Sequence, residues 1–207
     1  MDIIDNYDRL TLDRYMEIQE ISRNDNLEEL DKQVGILSVL TGESEDEILH
    51  LPIVEYKELV VKSAFLNPEN INYHPVARKY IVGGFELIPV KDFRRLETCQ
   101  YIDFQTYAPD LDTHLVEFLS VILVPKGHRY NEGYDLLEVQ KAIREEMSVS
   151  DGVSIAGFFL TWCKQSIKDS LNYSKREAKG IKDRAKRERI LEMIREQETL
   201  LERNGDG

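Results

Sequence analysis

The fold is decided by a helical stretch at residues 12–19, which reads LDRYMEIQ and recurs as TCQYIDFQ at residues 98–105. In both copies a tyrosine, an acid, an apolar residue and a glutamine stand at the same spacing. Further matching pairs follow in the same order: residues 37–39 with 119–121, 51–55 with 147–151, and 65–66 with 159–160. Because internal repetition indicates repeated structural units, we predict two similar helical modules.

The first module begins with two helices. Apolar residues recur at three- and four-residue steps over residues 11–21, which predicts one amphipathic helix. A second helix is predicted over residues 27–40. It would end before Gly42, because glycine readily takes the left-handed conformation that closes helices. Its inward side chains are predicted to be Leu30, Val34, Leu37, Val39 and Leu40.

Two shorter helices complete the first module. Ser44 and Glu47 form a capping-box pattern, which predicts a helix over residues 45–50. Pro52 interrupts the chain there, because proline cannot sit inside a continuous helix. The last helix of the module is predicted over residues 54–66.

A β-rich segment separates the two modules. Residues 67–75 are rich in asparagine and proline and predict a loop. Residues 79–89 contain two β-prone runs around Gly83 and Gly84, a pattern typical of a hairpin with a tight turn. An isolated hairpin is only marginally stable, so it is expected to pack on helices or to pair with strands elsewhere. Docking of a partner strand at its edge is the alternative.

The second module repeats the helical pattern with longer elements. The run at residues 115–124 is apolar enough for either a buried helix or a strand, and the analogy with residues 27–40 favours a helix. A solvated loop follows. The predicted segments are helices over 98–107, 115–124, 135–147 and 153–172, with the loop at 126–134.

The predicted fold class is therefore mainly α with a minor β component. Two similar helical modules are joined by a β-hairpin and followed by a long charged C-terminal helix. The predicted divisions are residues 1–67, 68–95, 96–173 and 174–207.

The net charge of the chain argues against some classes of binding partner. The chain has 207 residues and a net charge of −12, with 42% hydrophobic and 32% charged residues. Acids outnumber basic residues over 1–173, whereas basic residues outnumber acids over 174–207. An acidic body repels nucleic acid and anionic membranes, so neither is an expected partner. The apolar runs are too short to cross a bilayer, and the N-terminus lacks the regions of a signal peptide, which predicts a cytoplasmic location.

One segment carries a family resemblance. Residues 40–56, which read LTGESEDEILHLPIVEY, followed by Phe65 and Leu66, resemble the helical segment of tailed-bacteriophage tail assembly chaperones. In those proteins a helix closes with a Thr-Gly turn, an acid-rich short helix follows, and a Leu-x-x-x-Asp/Glu-aromatic step opens the last helix. This chain differs in that its β-rich segment follows the helical segment. The resemblance implies a phage morphogenesis protein that binds an unassembled tail component.

Partner contacts are predicted on apolar side chains of two segments. In the segment with the resemblance they are Tyr56, Phe65 and Leu66. In the terminal helix a thin apolar stripe carries the others. A stripe this thin must pack on the body, pair with a second copy or insert into a partner. The stripe residues are Ile190, Ile194 and Leu201.

Catalytic patterns are missing from the sequence. The histidines are scattered, and neither a His-Glu-x-x-His nor a Cys-x-x-Cys pattern occurs. The acid pairs Asp110 with Asp112 and Asp103 with Glu117 would suit a metal or general-acid site, but solvated carboxylates are the favoured interpretation in so acidic a chain. We therefore expect no enzymatic activity and no cofactor.

The sequence leaves three functional hypotheses. The first is a tail assembly chaperone that binds a tape-measure or tail-tube protein in the host-cell cytoplasm. The alternative is a structural virion protein, such as a neck, ring or internally packaged protein, that self-associates into a homo-oligomer through its C-terminal helix. A metal-dependent enzyme is the third, least favoured hypothesis.

Overall fold

The computed structural model describes residues 1–90, 92, 95–179, 188–189 and 192–193, with backbone only for 166–171 and 177–179. The chain is mainly helical and carries one small antiparallel sheet. Residues 1–156 form one compact unit, and residues from 157 onward form a second. The mainly helical fold class is thus confirmed.

The first half folds as four helices, as predicted. Their bounds are α1 Leu12–Arg23, α2 Glu29–Thr41, α3 Glu45–Leu49 and α4 Ile53–Ser63. Gly42 has φ +79° and closes α2, and Ser44 and Glu47 form both hydrogen bonds of the capping box at α3. The end of the last predicted helix is wrong, because Ala64–Leu66 forms a separate 3-10 turn after α4. A second such turn, Pro68–Asn70, lies in the predicted loop.

The predicted hairpin is confirmed and belongs to a larger sheet. Strands β1 (Tyr80–Val82) and β2 (Phe85–Pro89) pair antiparallel, with Leu87 opposite Tyr80. Both turn glycines have positive φ, as a primed two-residue turn requires. On its other side β2 pairs antiparallel with a third strand, β3 (Leu123–Pro125), which gives the order β1-β2-β3.

Strand β3 corrects the helix predicted over residues 115–124. Helix α6 ends at Ile122, and Leu123 is already extended with φ −110° and ψ 101°. Proline disfavours the helical conformation in the residue before it, so Pro125 directs Val124 into a strand. The apolar run therefore supplies both a buried helix and a buried strand.

The second half contributes the remaining helices. They are α5 Thr98–Tyr107, α6 Leu111–Ile122, α7 Leu136–Glu146 and α8 Val149–Lys179. Helix α6 is kinked at His114, and α8 begins earlier than the predicted residue 153. The predicted terminal helix coincides with α8 only as far as Lys179, and the rest of that prediction lies almost entirely outside the described residues.

The first predicted module and residues 96–156 of the second lie in one compact unit, where a backbone bridge joins them. Thr11 and Ser148 pair as an isolated antiparallel bridge. On either side of it the Leu12 N–H donates to the Met147 carbonyl at 3.0 Å, and the Val149 N–H donates to the Leu10 carbonyl at 2.8 Å. Leucines 10 and 12 and residues 147 and 149 are all buried. Duplication of the modules stays a prediction.

Helix packing around the bridge reinforces it. Helix α7 contacts α1, α6 and β1, so it joins both halves and the sheet. Gly152, in the first turn of α8, lies where a Cβ would come within 3.1 Å of the Leu12 side chain and 3.3 Å of Leu119. Close approach of α1, α6 and α8 therefore depends on the absence of a side chain at Gly152.

The unit from residue 157 onward contains an aromatic cluster on α8. The Phe158 and Phe159 rings lie 5.3 Å apart, and Trp162 lies 5.8 Å from Phe159. Among the described residues no helix is both long and apolar enough to cross a membrane.

Alanine substitution of the two turn glycines separates backbone strain from packing. Gly84→Ala meets nothing within 4 Å and should cost only the strain of a positive φ, about 1 kcal/mol. Gly83→Ala adds an overlap with the Cβ of Ala142 on α7, so it should lower the free energy of unfolding by about 2–4 kcal/mol. Urea denaturation of both variants measures the difference. Equal losses would contradict close packing of the turn on α7.

Candidate protein-binding surface

A groove forms between α2 and the end of α4. The last turn of α1, one side of α2 and the 3-10 turn Ala64–Leu66 enclose about 500 Å³. We call this cavity the α2–α4 groove. Its lining residues are Ser22, Glu29, Leu30, Lys32, Gln33, Ile36, Ser63 and Leu66.

Apolar side chains supply the contact area of the groove. Leu30, Ile36 and Leu66 line it, and Leu30 is 58% exposed. The sequence prediction that Leu30 points inward is therefore wrong. The buried face of α2 uses Val34, Leu37 and Leu40. Leu30 lies in the first turn of α2 and lines the groove instead.

Several polar groups of the groove already form hydrogen bonds to backbone carbonyls of the surrounding helices. The Ser22 hydroxyl donates to the Ile18 carbonyl at 2.7 Å, and the Ser63 hydroxyl donates to the Val60 carbonyl at 2.9 Å. The Lys32 ammonium donates to the Ser22 carbonyl at 3.2 Å, where a cation suits the end of α1. Ser22, Ser63 and Lys32 thus have hydrogen-bond partners, and the groove combines apolar contact with the charged side chains of Glu29 and Lys32.

Tyr56 positions the groove without lining it. Its hydroxyl donates to Gln33 Oε1 at 2.8 Å and so ties α4 to α2. Gln33 lines the groove, and its amide nitrogen remains able to donate to a bound chain. The predicted partner-binding residue Tyr56 thus lies next to the groove.

Phe65 and Leu66 are held in place by Tyr7, a residue that the sequence prediction missed. The Tyr7 hydroxyl donates to the Leu66 carbonyl at 2.7 Å, and its ring packs edge-on against Phe65 at 5.2 Å. Tyr7 is only 2% exposed. Burial, and secondarily the neighbouring Tyr15, raises the pKa of Tyr7 to about 12. Tyr7 stands before the first predicted helix, so the apolar pattern read over residues 11–21 did not include it.

A second apolar surface lies on the outside of the short helices. Leu49, Ile53, Val54 and Val61 are all more than half exposed, whereas Leu59 on the same helix is buried. We call these four residues the α3–α4 outer face. Val54 and Val61 are seven residues apart and therefore lie on one side of α4, away from Leu59.

The surroundings of this face are acidic. Residues 45–63 carry five acids and two lysines. The Ser44 backbone N–H and hydroxyl donate to Glu47 and hold the pKa of that carboxyl below its usual range. The segment that carries the outer face therefore has a net negative charge.

Other predicted site residues are placed as follows. Ile190, Ile194 and Leu201 lie outside the described residues. Asp112 pairs with Arg23 at 3.3 Å, and Asp103 accepts a hydrogen bond from Tyr130 at 2.8 Å. Over the part of the chain that the structure describes, no three His, Cys, Asp or Glu residues come together as metal ligands.

Replacing the tyrosine under the groove tests how it is held. Tyr7→Phe leaves the Leu66 carbonyl without its donor and should lower the free energy of unfolding near neutral pH by about 1 kcal/mol. The folded-state pKa of Tyr7 is raised above the unfolded value of about 10. Its contribution is therefore complete below about pH 10 and is lost as the pH rises toward about 12.

The two proteins should accordingly differ in alkaline solution. Urea denaturation from neutral pH to about pH 11 should show a smaller decline for Tyr7→Phe than for the unsubstituted protein. Tyr101→Phe, at a half-exposed ring, is the matched control. It should change neither the free energy of unfolding near neutral pH nor the decline of that free energy toward about pH 11. Identical pH profiles for Tyr7→Phe and the control would refute the role given to Tyr7.

Comparison with known proteins finds no relative. The chain matches no protein-family model, no curated protein and no solved structure. The resemblance of residues 40–66 to tail assembly chaperones thus rests on the residues themselves, and the groove and outer face are interpreted from their own geometry and charge.

Proposed function

We propose that this protein is a non-enzymatic phage morphogenesis protein of the tail assembly chaperone type. It binds an apolar segment of an unassembled tape-measure or tail-tube protein in the host-cell cytoplasm. The observation that carries the proposal is the pairing of the apolar α2–α4 groove with the exposed α3–α4 outer face. The outer face lies within the segment that resembles those chaperones, and the groove takes Ser63 and Leu66 from that segment.

Charge specifies the segment that would bind. Residues 45–63, which include the outer face, carry five acids and two lysines and therefore have a net negative charge. An apolar segment flanked by lysine or arginine therefore fits better than one flanked by acids, because complementary potentials steer association and suppress wrong partners. Acidic segments are excluded for the same reason.

Burial of the outer face can support reversible binding. Full burial of a valine, leucine or isoleucine side chain stabilises a complex by about 1.5–3 kcal/mol. Loss of translational and rotational freedom offsets much of this gain, at about 4–15 kcal/mol. Four such side chains plus the groove therefore suit a complex that forms during assembly and then releases its partner.

Variants of the outer face provide the test. The double variant Val54→Gln, Val61→Gln should keep its stability, since Val54 and Val61 are 65% and 74% exposed. It should lose capture of the co-expressed tape-measure or tube protein by about tenfold or more. The matched control is Tyr101→Gln, Ile102→Gln on α5, whose side chains are 49% and 57% exposed. Affinity pull-down measures capture of the partner by each double variant. The yield of soluble partner is the second readout.

Several results would contradict the proposal. One is that the unsubstituted protein captures neither tail protein and raises the solubility of neither. Another is that both double variants lose capture equally, which would assign the effect to a general loss of apolar surface. Stoichiometric presence in purified particles by mass spectrometry would favour the structural virion role instead.

A further inference from the structure

Two surfaces of this chain carry exposed apolar groups and opposite net charge. One is the α3–α4 outer face, whose four side chains are between 63% and 74% exposed. The other is the charged C-terminal segment, residues 175–195, where Met193 is 61% exposed. Apolar groups left open to water in this way mark sites of protein contact when they cluster.

The segment that carries the outer face is negatively charged at its surface. Residues 45–63 hold five acids and two lysines, a net charge of −3. All seven of these charged residues are exposed. A chain bound to the outer face therefore meets apolar side chains within a segment that has an excess of carboxylates.

The C-terminal segment has the opposite charge. Residues 175–195 hold nine lysines and arginines against four acids, a net charge of +5. Of the residues that the structure describes beyond Lys179, residues 188–189 and 192–193 are helical and exposed. The segment is therefore basic, and Met193 gives it an exposed apolar group.

Apolar residues of the C-terminal segment and the chain after it recur at helical spacing. Ile190 and Ile194 are four residues apart, and Leu201 follows seven residues later. In a helix this spacing would place the three side chains on one side. Met193 follows Ile190 by three residues and would add to that side. We call these four residues the C-terminal stripe, of which the structure describes Met193.

Net charge favours pairing of the two surfaces with each other. Two outer-face segments brought together would place −3 beside −3, and two C-terminal segments would place +5 beside +5. Like charges oppose association, whereas complementary charges steer it and suppress wrong partners. Amphipathic helices bind apolar surfaces through anchors three or four residues apart. The C-terminal stripe therefore fits the outer face in charge and in the spacing of its apolar groups.

We propose that the α3–α4 outer face of one copy of this chain binds the C-terminal stripe of a second copy. The contact joins two different surfaces, so it is heterologous. A pair of copies retains one open outer face and one open stripe. Further copies can therefore add to the pair, in a closed ring or an open chain.

Contact between copies does not depend on a tail protein. Under the proposed function the C-terminal stripe would compete with the tail protein for the outer face, and this competition alone rests on that function. Self-association is measured in the purified protein without any tail protein. The two proposals therefore fail separately.

Analytical ultracentrifugation of the purified full chain over a range of protein concentrations tests the contact. The average mass should rise with concentration above the 24.1 kDa of a single chain. Self-association should weaken as salt is added, because screening reduces the attraction between opposite charges.

Two double variants remove the surfaces one at a time. The outer-face variant is Val54→Gln, Val61→Gln, and the stripe variant is Ile190→Gln, Ile194→Gln. Glutamine is a good helix former, so both variants should keep their helices. Each should weaken self-association at least about tenfold. The double glutamine control on α5 should change it less than about twofold.

Mixing the two variants distinguishes this contact from other modes of association. Each variant retains the surface that the other has lost, so an equimolar mixture should form a heterodimer although neither variant associates alone. Pairing of stripe with stripe predicts instead that the outer-face variant still self-associates. The proposal is overturned by that result, by a single-chain mass at every concentration, by association that salt does not weaken, or by a mixture that stays dissociated.

Discussion

The structure depends on the backbone bridge between Thr11 and Ser148. Through the hydrogen bonds beside it, the segment before α1 is joined to the segment between α7 and α8. The Ser150 N–H extends this pairing to the Tyr7 carbonyl at 3.4 Å, and the Tyr7 hydroxyl in turn holds the Leu66 carbonyl. One continuous set of contacts thus runs from the second half of the chain to the edge of the α2–α4 groove. Because the flanking leucines are fully buried, water does not compete for these hydrogen bonds.

Rigidity of the unit explains how apolar groups can remain exposed without collapsing inward. Buried side chains from both halves fill the interior, including Leu37 from α2 and Leu119 from α6. The α3–α4 outer face lies on helices that are fixed at one end by the Ser44 capping box and, along α4, by the Tyr56 to Gln33 hydrogen bond. Under the proposed function, an exposed apolar face on such a scaffold needs little ordering when the partner binds. Acids outnumber lysines in residues 45–63, and under the proposed function basic flanking residues in the partner would match that charge.

Local chemistry made part of the fold predictable. Ser44 with Glu47, Gly42, and the Gly83 and Gly84 pair act through short-range geometry, and each occupies the predicted position. Non-local packing decides the rest. The exposure of Leu30 and the role of Tyr7 depend on neighbours that are distant in sequence. Strand β3 had a local signal in Pro125, but the apolar run before it suits either structure.

Hydrogen exchange of the full chain in increasing urea tests most directly whether the halves form one unit through the Thr11/Ser148 bridge. Protected amides of α1, α6 and α7 should converge on a single opening with a common free energy and a common urea dependence, because breaking the bridge exposes all three helices together. If α1 and α2 opened together at clearly lower urea than α6 and α7, the halves would be independently stable modules, and the bridge would not be the constraint that organises the protein.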